Sequence, residues 1–208
     1  MKFNKPKINN CVPKKLIESM EEDEICNVKF NEMINEKLTL KSITFDSCVF
    51  ENIDFSNVIF ENIDLVDVLF ENCDLSNKNF DNKMLSRVVF ENCKLMGTSF
   101  INSSLGNVEF NNCNCKYINL SNAKINNLKI IDSNFNEATF NESNIKNVEF
   151  KNVVFCGAEF LNVCLKNIDF SESDINGIMF DKKSLDGIII NRFQSHSIVS
   201  MFGVQIKD

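Results

Sequence analysis

The chain has 208 residues, 44% of them apolar and 25% charged, with 6 Gly and 2 Pro, which fits one globular or solenoid domain and excludes collagen-like, mucin-like and proline-rich linker classes. A formal net charge of −7, from 22 Lys+Arg against 29 Asp+Glu, argues against nucleic acid as a direct ligand but permits a partner that itself binds nucleic acid. No stretch approaches the roughly 18 consecutive apolar residues of a spanning helix, and Met1 to Asn10 lacks the apolar core of a secretory signal, so no membrane contact is expected and the chain is read as cytoplasmic.

Residues 1–39 read as an irregular N-terminal cap. Pro13 to Met20 is predicted as a short helix with Leu16, Ile17 and Met20 on one side, and Glu21 to Glu24 as a solvated acidic stretch. A five-residue register can be traced back to Phe30, with Val28 two residues before it, but Asn35 breaks it.

From Leu40 to Ile190 every fifth residue is apolar, and most of the 20 Phe fall in this register. A helix at about 3.6 residues per turn would smear such a stripe around its surface, and a flat strand would send successive members to opposite faces. A chain that turns a corner every five residues can bury it. The position two before each central residue is mostly small or β-branched (Cys48, Ile53, Val58, Ile63, Val68, Cys73) and is read as a second inward site. The position two after it is rich in Asn, with Asn52, Asn57, Asn62, Asn72 and Asn77 as examples, and is read as the corner, because Asn and Gly tolerate positive φ.

Segments such as Phe70-Glu71-Asn72-Cys73-Asp74-Leu75-Ser76-Asn77 resemble the pentapeptide-repeat family. The resemblance implies an all-β solenoid, a right-handed quadrilateral β-helix with four repeats per coil, over residues 40–190. Residues 20 apart then stack at about 4.8 Å, giving a rod about 37 Å tall, with Phe50, Phe70, Phe90 and Phe110 as one internal ladder and Phe60, Phe80 and Phe100 as the opposite one.

Residues 191–208 end the rod. Asn191 followed by Gln194 reads as a capping box opening a C-terminal helix, Gly203 as its stop, and Val204 to Ile206 as a short strand. Phe193, Ile198, Met201 and Phe202 form its apolar side. This ending is similar to that of the Qnr-type quinolone-resistance branch of the family, which implies a C₂ homodimer of about 75 Å joined through this helix. A helix that caps a monomer is the rival reading.

Little in the chain could carry chemistry. His196 stands alone on the terminal helix, no glycines cluster into a phosphate loop, and no catalytic residue, cofactor or metal is expected. The nine cysteines, an odd number, read as free thiols in a reducing compartment. Cys73, Cys93 and Cys113 should stack inside as small apolar residues, while Cys156 and Cys164 fall on outward positions and read as the more reactive thiols. Lys78, Lys83 and Lys183 occupy inward positions, the first two suggesting a widened coil with ammonium groups bent outward; Tyr117 replaces the usual corner Asn.

Acids concentrate in 41–81, and 82–130, with Arg87, Lys94, Lys116 and Lys124, reads as a positive belt. Glu51, Glu71 and Glu91 should form one vertical column and Asp54 and Asp74 another. The family's quinolone-resistance branch is thought to imitate duplex DNA, so the resemblance implies binding of a type II topoisomerase, DNA gyrase or topoisomerase IV, through these five acids. A 75 Å duplex carries about 44 charges at one per roughly 1.7 Å, far more than two such chains, so the mimicry is partial. The alternative is a passive interaction scaffold that uses exposed apolar patches such as Ile59 or Val89.

Overall fold

A computed structural model describes residues 2–205 and residue 207. The chain winds into a parallel β-solenoid of about eight turns in which, from Glu24 on, paired residues lie 20 positions apart. Phe50 lies beside Phe70, then Phe90, Phe110, Ile130 and Phe150, one per coil.

The four sides of the coil are unequal. The strands Asp64–Glu71, Met84–Glu91, Ser104–Asn111, Lys124–Ile131 and Asn144–Lys151 each run along two sides and round the corner between them, the ladder skipping the corner residue. The other two sides pair through single bridges such as Asp74↔Lys94 and Asn79↔Ser99. There the chain closes into turns, with Lys78 N–H donating to Leu75 C=O at 3.2 Å and Thr98 N–H to Leu95 C=O at 3.1 Å. The third residue of these two turns, Asn77 and Gly97, has positive φ, as a type II turn requires.

That conformation explains the corner composition. Every corner position from 42 to 167 except Asn57 has a left-handed φ, including Arg87 (56°), Tyr117 (62°), Glu137 (55°) and Glu142 (59°). Asn adopts this region at less cost than most residues. Stacked corner amides add a ladder, Asn112 Nδ2 to Asn92 Oδ1 at 2.7 Å and Asn127 Nδ2 to Asn107 Oδ1 at 3.2 Å.

The interior is apolar and ordered. Phe30, Phe50, Phe70, Phe90 and Phe110 stack face to face with centroids 5.0, 4.8, 5.1 and 5.0 Å apart. On the opposite side Phe80 stacks on Phe100 at 5.1 Å, while Phe60 is tilted by 50° and half-buried. Where these ladders thin to Leu120 and Ile130, a third side supplies Phe135 and Phe155 in place of Leu95 and Cys115, so the space stays filled. Several inward small residues are polar and satisfied, because Cys73, Thr98, Ser103 and Cys113 each donate to the carbonyl of the central residue 23 positions earlier.

Both ends differ in part from the sequence reading. The coil starts before Leu40: the strands Glu24–Cys26 and Val28–Phe30 pair with Thr44–Asp46 and with Lys29↔Val49, Phe30↔Phe50. Glu24 is thus a strand residue, not part of a loose acidic stretch. Leu16–Ser19 is a 3₁₀ turn that buries Leu16 and Met20 in part or whole but leaves Ile17 exposed, because three residues per turn rotate it off the packed side. Residues 2–11 run back along the outside of the rod, Lys7 N–H reaching Asp67 and Asn4 N–H reaching Asn107.

At the other end the helix Ser195–Ser200 forms beyond a reciprocal box, Asn191 N–H to Gln194 Oε1 at 2.8 Å and Gln194 N–H to Asn191 Oδ1 at 3.1 Å, and Gly203 closes it with φ 72°. Gln194 also donates its side-chain amide to Phe170 C=O at 2.8 Å and Ser173 C=O at 2.6 Å, which satisfies carbonyls that the last coil would leave open. Val204 and Gln205 form no strand, and Ile206 lies outside the described residues. Lys183 is not inward: Lys182–Leu185 is a helical turn capped by Asp181 and Ser184 at 2.8 Å each way, which buries Ser184 and exposes Lys183.

Candidate protein-interaction surface

The register assembles the two acidic columns. Glu51, Glu71 and Glu91 stand directly above one another on neighbouring strands, just before the corners Asn52, Asn72 and Asn92. Like charges in adjacent rungs repel, and one rung is relieved: Lys29 bonds Glu51 at 2.9 Å. Asp54 and Asp74 form the second column, whose third rung is Lys94.

The aspartates have a local task as well. Asp54 Oδ1 accepts from Ser56 N–H at 2.8 Å and Asp74 Oδ1 from Ser76 N–H at 3.0 Å, the Asx geometry that shapes the turn. Partial burial works against ionisation of Asp74, yet Ser76 and Lys94 outweigh it and hold its carboxyl below the usual aspartate value. The glutamates have no comparable turn role. Glu71 and Glu91 also make no ion pair among the described residues.

The positive belt expected at 82–130 does not stand free. Arg87 bonds Asp67, Lys94 lies 3.6 Å from Asp74, Lys116 3.6 Å from Glu137 and Lys129 3.0 Å from Glu149. Four of the six basic residues of 82–130 thus pair with an acid one coil away, a partner that linear charge counting places in another segment. Lys124 is exposed.

The other singled-out residues are placed as follows. Lys78 and Lys83 are half-buried and reach the preceding coil, Lys78 Nζ to Val58 C=O at 2.8 Å and Lys83 Nζ to Asn62 Oδ1 at 2.6 Å. Burial pulls the Lys78 ammonium below its ordinary value, against the attraction of Asp54 and Asp74. Tyr117 is exposed, with the Lys116 ammonium 4.6 Å from its ring centre. Ile59 is 54% exposed but Val89 only 7%, so Val89 is no exposed patch.

All nine cysteines are free thiols. Cys164 is exposed, whereas Cys156 is half-buried and pushed up by burial and by Asp174, which makes it the less reactive of the two. Sequence reading passed over Glu24, Cys26 and Asp46, whose donor atoms lie within 4.8 Å of one another at the edge of the first coils. Burial, Glu24 and Asp46 all raise the Cys26 thiol, which works against its serving as a thiolate ligand.

Flanking the terminal helix, Phe193 and Phe202 are 76% and 64% exposed and Met201 lies at the exposed margin, while Ile198 within it packs against the solenoid core. Ile198 therefore serves the end cap, and the large apolar side chains left exposed around the helix include Phe193, Met201 and Phe202. His196 is exposed beside them.

A family model described as a pentapeptide repeat region matches residues 63–140, and one described as pentapeptide repeats (8 copies) matches residues 133–171. The chain belongs to the pentapeptide-repeat family. Its coil is the family's right-handed quadrilateral β-helix with a short C-terminal helix. Among solved structures, the chain is similar to full-length QnrB1, a plasmid-mediated fluoroquinolone resistance protein, at 16% identity over 87% of this chain and 90% of that one, TM-score 0.41. It is also similar to HetL, a pentapeptide-repeat protein involved in heterocyst differentiation regulation in the cyanobacterium Nostoc, at 13% identity over 80% of this chain and 89% of that one, TM-score 0.39. No curated protein sequence matches the chain at a significant level. No helix among the described residues is long and apolar enough to cross a membrane.

Proposed function

We propose that this pentapeptide-repeat rod is a non-enzymatic, cytoplasmic binding protein that presents its stacked carboxylates to the DNA-binding groove of a type II topoisomerase, DNA gyrase or topoisomerase IV, and so modulates quinolone sensitivity. The observation that carries the reading is the Glu51, Glu71, Glu91 column: three acids one coil apart, with no turn to shape and two of them without an ion-pair partner among the described residues. At about 4.8 Å per rung the column is sparser than the roughly 3.4 Å phosphate repeat of one DNA strand, so the mimicry is local and concerns one short patch. Asp54 and Asp74 contribute field while holding their turns. Two rods join as a homodimer through Phe193, Met201 and Phe202, with Ile198 supporting the helix from beneath. No cofactor takes part.

Gyrase supercoiling with added rod, with and without a fluoroquinolone, tests this. Inhibition of supercoiling, or rescue from the drug, that fades as salt rises supports the reading. An absence of effect at micromolar rod favours the interaction scaffold, for which the exposed Ile59 is the specific pointer.

A further inference from the structure

Outward positions on the side that carries Phe50, Phe70 and Phe90 break the pattern of the rest of the rod. Val49, Val89 and Glu109 point away from the interior, yet they are only 9%, 7% and 6% exposed, whereas the outward Ile59 and Met84 are 54% and 49% exposed. The corner residue Asp67 is likewise buried at 5%. These residues lie side by side, in the column between the corners 47, 67, 87 and 107 and the Glu51, Glu71, Glu91 column.

The N-terminal arm follows that column. Cys11 Sγ donates to Ser47 C=O at 3.2 Å, Lys7 N–H to Asp67 Oδ1 at 2.8 Å and Asn4 N–H to Asn107 Oδ1 at 3.0 Å, and the Lys129 ammonium sits 5.4 Å from the Phe3 ring centre. From Asp67 to Asn107 is two coils, about 9.6 Å, and the three residues from Lys7 to Asn4 can span about 10 Å. The arm is thus extended and parallel to the rod axis. Phe3, Pro6 and Ile8 are half-buried while Lys2, Lys5 and Lys7 are exposed, and residues 1–11 carry no acid.

We propose that the stripe Val49, Leu69, Val89, flanked by Glu51, Glu71 and Glu91, is a binding surface for an extended polypeptide segment that alternates apolar residues with lysines, and that residues 2–11 occupy it as an intramolecular stand-in. The arm's half-buried Phe3, Pro6 and Ile8 suit the valines, and its lysines remain in solvent on the side of the acids, Lys7 lending its field to Asp67. A partner segment of the same chemistry competes with the arm, which makes the arm autoinhibitory. The inference stands on the arm alone and needs no topoisomerase.

The test is binding of a fluorescent peptide of residues 2–11 to the full chain and to a chain lacking residues 2–10, followed by anisotropy. The shortened rod is expected to take the peptide at least about tenfold more tightly than the full chain, with affinity falling as salt rises. Val89→Lys in the shortened rod should abolish it. Equal binding by full and shortened chains, or none by a shortened rod whose circular dichroism matches the parent, overturns the proposal. Should the shortened rod fail to fold, the full-length Phe3→Asp, Ile8→Asp chain takes its place: a loosened arm should raise peptide affinity, and no gain overturns the proposal equally.

Discussion

Arg87 grips Asp67 of the preceding coil through two bonds of 2.6 Å, Nε to Oδ1 and Nη2 to Oδ2, and both residues stand at corners with left-handed φ of 56° and 53°. The fork fixes two successive corners, and the Lys7 backbone amide adds a third donor to the same carboxylate. Burial opposes ionisation of Asp67, but the Arg87 and Lys7 bonds win and hold its carboxyl below the ordinary value. Arg87→Ala leaves a buried carboxylate with one donor and should cost about 2–3 kcal/mol. Urea unfolding followed by circular dichroism measures it, and a change under about 0.5 kcal/mol would show that solvent replaces the fork.

The same pair sets a pH dependence. Asp67, Asp74 and Asp181 all ionise more readily folded than unfolded. Their contribution to stability is complete above the ordinary carboxylate range near about pH 4 and is lost as pH falls through their lower folded-state values. The unfolding midpoint should therefore drop on acidification below that range, and Asp67→Asn should flatten part of the fall. A parent and variant with parallel profiles would contradict the assignment.

Corner chemistry predicts opposite outcomes at one position. Asn102 has φ 58°. Asn102→Val should destabilise by about 1–2 kcal/mol, since a β-branched residue is strained there, while Asn102→Gly should change stability by only a few tenths. Gly97, at φ +67, is more restricted: a Cβ there would meet Asn77 Oδ1 at 2.6 Å, so Gly97→Ala combines strain with a clash.

The thiols should divide sharply under an aromatic disulfide reagent at pH 8. Cys164 is exposed and should react in the native rod, while Cys26, equally exposed but raised by burial and the adjoining carboxylates, should react more slowly. Cys48 and Cys93 are pushed up to about 12, Cys48 chiefly by burial and Cys93 chiefly by the neighbouring Cys113 thiol; Cys73 is raised further by the stacked Cys93 thiol and Cys113 by the Cys115 thiol two residues on. These four should stay silent until urea unfolds the chain. Early reaction of Cys93 would mean that the coils part locally.

Much of the coil was legible because its period is local. A central Phe every five residues, a small residue two before it and Asn two after it encode side, interior and corner within one repeat. What the sequence concealed depends on the 20-residue return. The pairing of Lys94 with Asp74 and Arg87 with Asp67 joins residues that linear reading sorts into different charge blocks, so a positive belt was expected where ion pairs stand. The first coil was hidden because residues 31–37 interrupt the register between Phe30 and Leu38. The arm carries no period at all, and only its three-dimensional course explains why Val89 is buried. At the C-terminus the Asn191–Gln194 box was readable, and Asp181–Ser184 was the same signal with serine as the third-position partner.

The measurement closest to the central claim is the affinity of gyrase for the parent chain and for its Glu51→Gln, Glu71→Gln, Glu91→Gln variant at low and high salt. These glutamates shape no turn, so the variant should keep the parent's circular dichroism and bind at least about fivefold more weakly, with a shallower dependence on salt. Gyrase binding of unchanged affinity and unchanged salt dependence in a folded triple variant would contradict the account.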